Sequence, residues 1–307
     1  MAFTPDPFVA IILVNWNGFD YTQACLASLR KIDFPDFKVI VVDNGSQNQE
    51  GKSLKKLFPE IELIENAENL GFSEGNNVGI RFALEQGFSH IMLLNNDTEV
   101  ESNFLGEMMR KFHQNSRLGV VQPLILFLND PKKIWSAGGK WASSVGRAIT
   151  LGDRGPLADY RFKVTNLDWA TGCCMLLSRE AILKTGLLNA QYFAYFEDVE
   201  WSLRFKKAGF EISLAEKAVI YHEAGASSKK THSEGTLSPK VFYYNVRNQF
   251  FLLRSQKIYL GIIYHFFRFL GWAGYFLIRG RFRKMNAVLK GIQDGLGADL
   301  QTAKRWP

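Results

Sequence analysis

An apolar run, Ile91 to Leu94, stops at Asn95, Asn96 and Asp97. A buried strand that delivers polar groups in this way brings them to the end of a sheet, where α/β enzymes hold ligands. A nucleotide diphosphate at such an edge needs its charge neutralised, and Mg²⁺ or Mn²⁺ on carboxylates does this. Metal sites of that kind usually want two acids with one residue between them. Here one acid follows two amides, so Asp97 is the candidate ligand. Asn95 suits a ribose hydroxyl better than an ion.

Three more polar clusters follow apolar runs: Asn15-Trp16-Asn17, Asp43-Asn44-Gly45-Ser46, and Asn69. One such cluster is ordinary turn chemistry. Four in register on one edge point to a ligand site. Asp43 could accept the ring N–H of a pyrimidine base, or it could only start the turn at Asn44-Gly45. Glu197-Asp198 follows the aromatic run "YFAYF" and opens a helical pattern. A carboxylate there can be held by backbone N–H groups and aimed at a hydroxyl, although plain helix capping explains an isolated pair equally well. His222 closes the strand-like "AVIYH" and could offer a nitrogen, which suits Mn²⁺ better than Mg²⁺.

The elements that must position these residues alternate. "FVAIILV", "KVIVVD", "IELIE", "HIMLLN" and "LGVVQPLI" read as strands, with helical spacing between them. That order predicts βαβ units and a mostly parallel sheet. Residues 126–178 read as irregular until "DWATGCCMLLSREAILKTGLL", a strand, turn and helix. Gly71, Gly75 and Gly79 are four apart, so no GxGxxG follows a strand, and no GxxxxGK[ST] occurs.

The chain has 307 residues and a net charge of +7, unevenly placed. From Lys240 onward, 12 Lys and Arg face two acids, giving +10 there and −3 elsewhere. Cys25, Cys173 and Cys174 make no disulfide framework and point to a reducing compartment. The N-terminal apolar run suits a first strand better than a signal peptide. Ile258 to Ile278 has the length of a membrane span, but His265 and Arg268 sit in its middle. A central Arg costs about 2.5–3.5 kcal/mol on insertion scales. Lys257, Gly261, His265, Arg268, Trp272, Tyr275 and Arg279 form one polar stripe on a helical wheel. A helix lying in the membrane interface fits this pattern, with "RGRFRK" meeting anionic head groups. No nucleic-acid recognition motif accompanies the charge.

The pieces "ILVNWNG", "VIVVDNGS", "NLGFSEGNNVGI", "MLLNNDTEV", "ATGCCMLLSRE", "YFAYFEDVEWSLRFKKAGF", "AVIYHEAGASS" and "YYNVRN" come in one order. In that order the chain resembles the family 2 inverting glycosyltransferases, in particular the rhamnosyltransferase-like branch of bacterial polysaccharide synthesis. The resemblance runs from Phe8 to Asn248. It implies a GT-A fold, a single Rossmann-like αβα sandwich with a mostly parallel sheet and a C-terminal helical tail. Residues 1–125 would form the nucleotide-sugar half, 126–238 the acceptor-binding and catalytic half, and 239–307 the basic aromatic tail. Asp43 would read the base, with Asn15, Asn17, Asn44, Asn69, Asn76, Asn95 and Asn96 on the nucleotide side. Asp97 and His222 would serve Mg²⁺ or Mn²⁺. Asp198 would be the general base and Glu197 its partner. Thr171-Gly172-Cys173 would lie beneath the donor sugar, and Trp169 and Trp201 would stack on sugar faces.

The implied reaction moves a sugar, rhamnose or similar, from a dTDP- or UDP-linked donor to a lipid-linked or polysaccharide acceptor. The implied place is cytoplasmic, peripheral at the inner face of the cell membrane, with no nucleic-acid partner. Two other readings remain. A sugar-nucleotidyltransferase would want a Gly-rich, basic loop where "NWNGFD" stands. An inactive sugar- or lipid-binding partner of a polysaccharide synthase would not need both Asp97 and Asp198.

Overall fold

Strand β1 (Val9–Asn15) is apolar on both faces and seeds a sheet buried from both sides. Val9, Ile11 and Leu13 pack into one core layer, and Ala10 and Ile12 into the opposite one. This is the two-residue alternation of a strand covered by helices on each face. The computed structural model describes residues 8–162, 166–223, 234 and 237–297. The "AGASS" end of one quoted motif lies outside them.

The chain continues α1 (Phe19–Leu29), β2 (Phe37–Asn44), α2 (Glu50–Leu57), β3 (Glu62–Asn66), α3 (Gly71–Glu85), β4 (His90–Leu94), β5 (Thr98–Val100), α4 (Phe104–Gln114) and β6 (Leu118–Phe127). Then come β7 (Asp130–Ser136), β8 (Gly139–Ala142), β9 (Arg147–Thr150), β10 (Cys174–Ser178), α5 (Arg179–Thr185), α6 (Glu197–Lys207) and β11 (Glu211–His222). Helices α7 (Pro239–Ser255), α8 (Tyr259–Ile278) and α9 (Phe282–Gly297) complete the described chain.

Among the described residues the main sheet runs β3-β2-β1-β4-β10-β6-β11-β5, with β7 beside β6. β3, β2, β1, β4, β6 and β11 share one direction, and β10, β5 and β7 oppose it. The sheet is therefore mostly parallel. Antiparallel β10 enters between β4 and β6, with Cys174 opposite Leu94. One sheet thus serves both halves of the chain. Residues 126–150 are more regular than their sequence suggests. β8 and β9 form a hairpin of four-residue strands, too short to leave a periodic signal.

Helix α3 lies close on β1. A Cβ at Gly79 would stand 2.7 Å from Ile12 Cγ2. This close approach sets the depth of α3 and hence the place of its N-terminal turn beside the strand ends. Gly79→Leu is expected to cost about 1–3 kcal/mol by overpacking. Urea unfolding should report it, and an unchanged midpoint would refute the close-packing argument.

Candidate active site

The strand ends meet in a buried polar network. Asn15 is 0% exposed and stands opposite Asp43 in the β1–β2 register. Its Nδ2 is shared among Glu50 Oε2 at 2.9 Å, Ser46 Oγ at 3.1 Å and Asp43 Oδ1 at 3.4 Å. Its Oδ1 accepts from the Thr22 hydroxyl at 2.7 Å. Asn96 Nδ2 donates to Thr22 Oγ1 at 2.8 Å, which brings in the end of β4. Ser46 Oγ and Glu50 Oε2 also accept from the backbone N–H groups of Asn17 and Gly18, both at 3.0 Å. Asn17 has φ +49° and accepts from Gln47 N through Oδ1. Thr22, Ser46 and Glu50 had no assigned role from the sequence. Ser46 stood inside a motif and Thr22 and Glu50 outside any, and only the crossing of three elements makes them partners.

Asp43 is buried and both its oxygens accept internal N–H groups. Oδ2 takes Gly51 N at 3.1 Å and Oδ1 takes Ser46 N at 3.3 Å. Gly51 leaves the room for this, since a Cβ there would lie 2.9 Å from Oδ2.

Two sequence expectations need correction here. Asn44 does not face a nucleotide. Its Oδ1 accepts from Leu70 N at 3.1 Å and Asn66 Nδ2 at 3.0 Å, and its Nδ2 donates to Asn69 Oδ1 at 3.2 Å and Gly71 O at 3.1 Å. All four positions of the amide are used inside the fold. Asn69 Oδ1 also accepts from Gly71 N, so the pair shapes the entry to α3. Trp201 does not stack on a sugar. It is 0% exposed, packs on Phe205 and donates to Gly186 O at 2.8 Å. Asn76 is buried too and donates to Phe72 O one turn back in α3.

At the β4 end, Asn95 N donates to Cys173 O at 2.8 Å, while its side chain is half-buried. The β5–β11 pairing sets His222 opposite Thr98 and so beside Asp97, with Nε2 and Oδ1 3.1 Å apart. Both residues are buried, and the rings of Trp135 and His222 meet nearly perpendicular with centroids 4.5 Å apart. His222 Nδ1 has no hydrogen-bond partner among the described residues. The same residues contain no cluster of three or more His, Cys, Asp and Glu suited to a metal. Asp97 and His222 therefore offer two donors, enough for an ion that takes its other ligands from water and diphosphate.

Asp198 opens α6. Its Oδ2 accepts from Gly172 N at 2.9 Å and its Oδ1 from Val199 N at 2.8 Å. A Cβ at Gly172 would stand 3.0 Å from Phe72 Cζ, so glycine lets this amide approach. Burial raises the pKa values of both Asp198 and Glu197 above the usual carboxylate range. The neighbouring Asp198 charge raises Glu197 further, and Glu197 Oε2 is buried without a partner among the described residues. The pair is therefore a candidate functional site.

The loop before Asp198 carries Phe193, Tyr195 and Phe196 at φ +62°, +72° and +69°. Left-handed backbone at aromatic residues is costly and persists only when neighbours hold it. Asn248 Nδ2 is shared among Tyr192 O at 2.8 Å, Ala194 O at 2.7 Å and Tyr195 O at 2.8 Å. Arg247, 1% exposed, donates to Gln191 O at 2.7 Å and, through Nε, to Asn248 Oδ1 at 2.9 Å. The "YYNVRN" motif thus clamps the loop that presents Asp198. Its signal was in the sequence, but its target was not.

A cavity of about 140 Å³ is lined by Trp135, Ser136, Thr150, Asp153, Trp169 and Thr171. Trp169 packs its ring over Gly139, where a Cβ would be 1.9 Å away, and donates to Lys140 O at 3.1 Å. The three cysteines are buried free thiols.

The Glycosyl transferase family 2 model matches residues 10–186, and the chain belongs to that family. It is 24% identical over 252 residues to the low-salt glycan biosynthesis hexosyltransferase Agl10 of Haloferax volcanii, covering 82% of this chain and 76% of that one. It is 25% identical over 225 residues to the dTDP-rhamnosyl transferase RfbF of Shigella flexneri, covering 72% of each. It is 22% identical over 254 residues to an N-acetylglucosaminyl-diphospho-decaprenol L-rhamnosyltransferase of Mycobacterium tuberculosis, covering 76% and 82%. Among solved structures, residues 1–349 of S. aureus TarS align with TM-score 0.61 at 16% identity, over 96% of this chain and 83% of that one. The mannosyltransferase PcManGT of Pyrobaculum calidifontis, with GDP-Man and Mn²⁺, aligns with TM-score 0.57 at 12% identity, over 96% and 88%. The fold is thus of the GT-A type.

Two predictions follow from this geometry. Asn44→Ala should cost about 1–3 kcal/mol, because it strands the buried groups that the amide joins. Chemical unfolding should show that loss. Glu197 holds its proton more tightly folded than unfolded, so stability should fall as pH rises from 4.5 through the raised folded value. Glu197→Gln removes that loss. Its stability relative to wild type should therefore increase with pH, and a pH-independent difference would contradict the assignment.

Proposed function

We propose that the chain is an inverting glycosyltransferase that moves a hexose, rhamnose or similar, from a dTDP- or UDP-linked donor. The acceptor is a hydroxyl of a lipid-linked or polysaccharide substrate. The carrying observation is Asp198, which follows a clamped loop, accepts from the backbone N–H groups of Gly172 and Val199, and is linked through Gly172-Cys173 to the turn bearing Asp97. Relatives named for dTDP-rhamnosyl transfer and for a decaprenol-linked acceptor support the donor and acceptor classes.

Asp198 takes the proton of the acceptor hydroxyl as its oxygen attacks the anomeric carbon from the face opposite the diphosphate. A base with a raised pKa binds that proton more strongly. One base in a single displacement inverts the centre. Asp97 and His222 would hold Mg²⁺ or Mn²⁺. That ion would supply positive charge to the diphosphate leaving group. Asp43 would receive the base, with Asn15, Asn17, Asn69 and Asn76 shaping its side of the site and Asn95 meeting the ribose. Asn96, tied to Thr22, holds the turn. Trp169 and its cavity would meet the acceptor. The site of action would be the cytoplasmic face of the membrane.

The test is transfer or donor hydrolysis with added Mn²⁺. Asp198→Asn should lower kcat by about 10²–10⁴-fold with donor affinity little changed. Wild-type activity should fall as pH is lowered through the raised Asp198 value, since the base must be unprotonated. Asp97→Ala should abolish transfer and Asn95→Asp should retain it. Equal turnover by wild type and Asp198→Asn would overturn the reading.

A further inference from the structure

Helix α8 is the one helix among the described residues long and apolar enough to cross a membrane, yet it packs on the protein along one side. Gly261, His265, Phe269, Ala273 and Phe276 are buried. A Cβ at Gly261 would meet Leu253 Cδ2 and Val145 O, both at 2.7 Å. His265 is held neutral, its pKa lowered to about 4 by burial and the Arg268 charge. Arg268 lies over the rings of Phe269 and Trp272 at 5.3 and 5.1 Å. The centre of the polar stripe therefore faces the protein.

What faces outward is apolar. Leu260, Ile263, Phe267, Leu270, Leu277 and Ile278 are all exposed, Phe267 by 66% and Leu260 by 73%. They recur at helical spacing and form one ridge, and 20 residues of helix span about 30 Å. No charged side chain interrupts it. Tyr259, Tyr264 and Tyr275 are exposed along its length, as rings with a polar tip are at a lipid–water boundary. Cations stand at both ends: Lys257 at one, and Arg279, Arg281 and Arg283 at the other. Asp294 is the sole acid in residues 239–297, and it is engaged by Tyr243 and Lys290. Glu234 is spent on the N–H groups of Arg283 and Lys284.

We infer that the outer ridge of α8 docks on the surface of an anionic lipid bilayer, with the ridge in the acyl boundary and the terminal cations among the head groups. A span is disfavoured by the opposite side of the helix, which is protein core. A second copy on the same ridge would bring cationic ends together whether the helices ran parallel or antiparallel. The apolar ridge and basic ends complement a negatively charged bilayer on both counts. This extends the lipid-linked acceptor reading but stands on the helix alone.

The experiment is sedimentation of the full chain with phosphatidylglycerol or phosphatidylcholine vesicles at low and high salt. Binding should favour phosphatidylglycerol and weaken with salt. The pair Ile263→Glu and Phe267→Glu should reduce it about tenfold or more, as should Arg279→Glu with Arg281→Glu. Both variants should keep wild-type circular dichroism and donor hydrolysis in solution. A failure of vesicle binding is therefore distinct from a failure of the enzyme assignment. Absence of binding to phosphatidylglycerol at low salt, or equal binding by the glutamate pair, overturns the inference. So does gel filtration showing a dimer that the glutamate pair dissolves, because a second copy would then cover the ridge.

Discussion

The site depends on one buried amide. Asn15 has no solvent exposure, and its side chain joins α1 through Thr22, β2 through Asp43 and α2 through Glu50. Thr22 passes the connection to Asn96 at the end of β4. A polar group this enclosed is costly unless every partner is in place. The network is therefore satisfied in one arrangement of these elements, and that arrangement sets the floor on which a nucleotide would rest. Gly18 and Gly51 are part of the same constraint, because a Cβ at either would stand 2.9 Å from Asn96 or Asp43.

The edge that carries Asp97 and Asp198 is built differently. Asp97 and His222 are 125 residues apart and meet because β5 pairs antiparallel with β11. Asp198 is placed by backbone amides and by a loop in an unfavourable conformation. That loop is held from outside the sheet, by Arg247 and Asn248 of α7. The C-terminal helices thus have two faces with separate tasks. One holds the loop before Asp198, and the other presents an apolar ridge.

Much of the fold was legible. The alternation of apolar runs with helical spacing marks β1, β2, β3, β4 and β6 in order, since strands of a covered parallel sheet read as apolar runs. The polar clusters after those runs do meet at one end of the sheet, where Asn15, Asp43 and Asn96 share a hydrogen-bond network. β5, β7, β8 and β9 were not legible, because β5, β8 and β9 are three or four residues long and β7 opens on Asp130, Lys132 and Lys133 rather than an apolar run. Nor was the insertion of β10 between β4 and β6, which depends on long-range pairing. Residue types also misled where their neighbours decided the outcome. Asn44 looked like a ligand donor, and four internal bonds consume it. Trp201 looked like a stacking platform, and the core encloses it.

By itself the sequence determined the family and the succession of β1, β2, β3, β4 and β6 along the chain, because local periodicity and motif order are properties of the chain. Only the tertiary structure decided which polar groups are already satisfied and which side of α8 faces outward. It also decided that "YYNVRN" reaches the loop before Asp198. Each of these depends on what surrounds a side chain, and the surroundings come from residues distant in sequence. "LLNNDTEV" illustrates the division. Asp97 and His222 could both be named from the chain, but only the β5–β11 pairing brings them within 3.1 Å of each other.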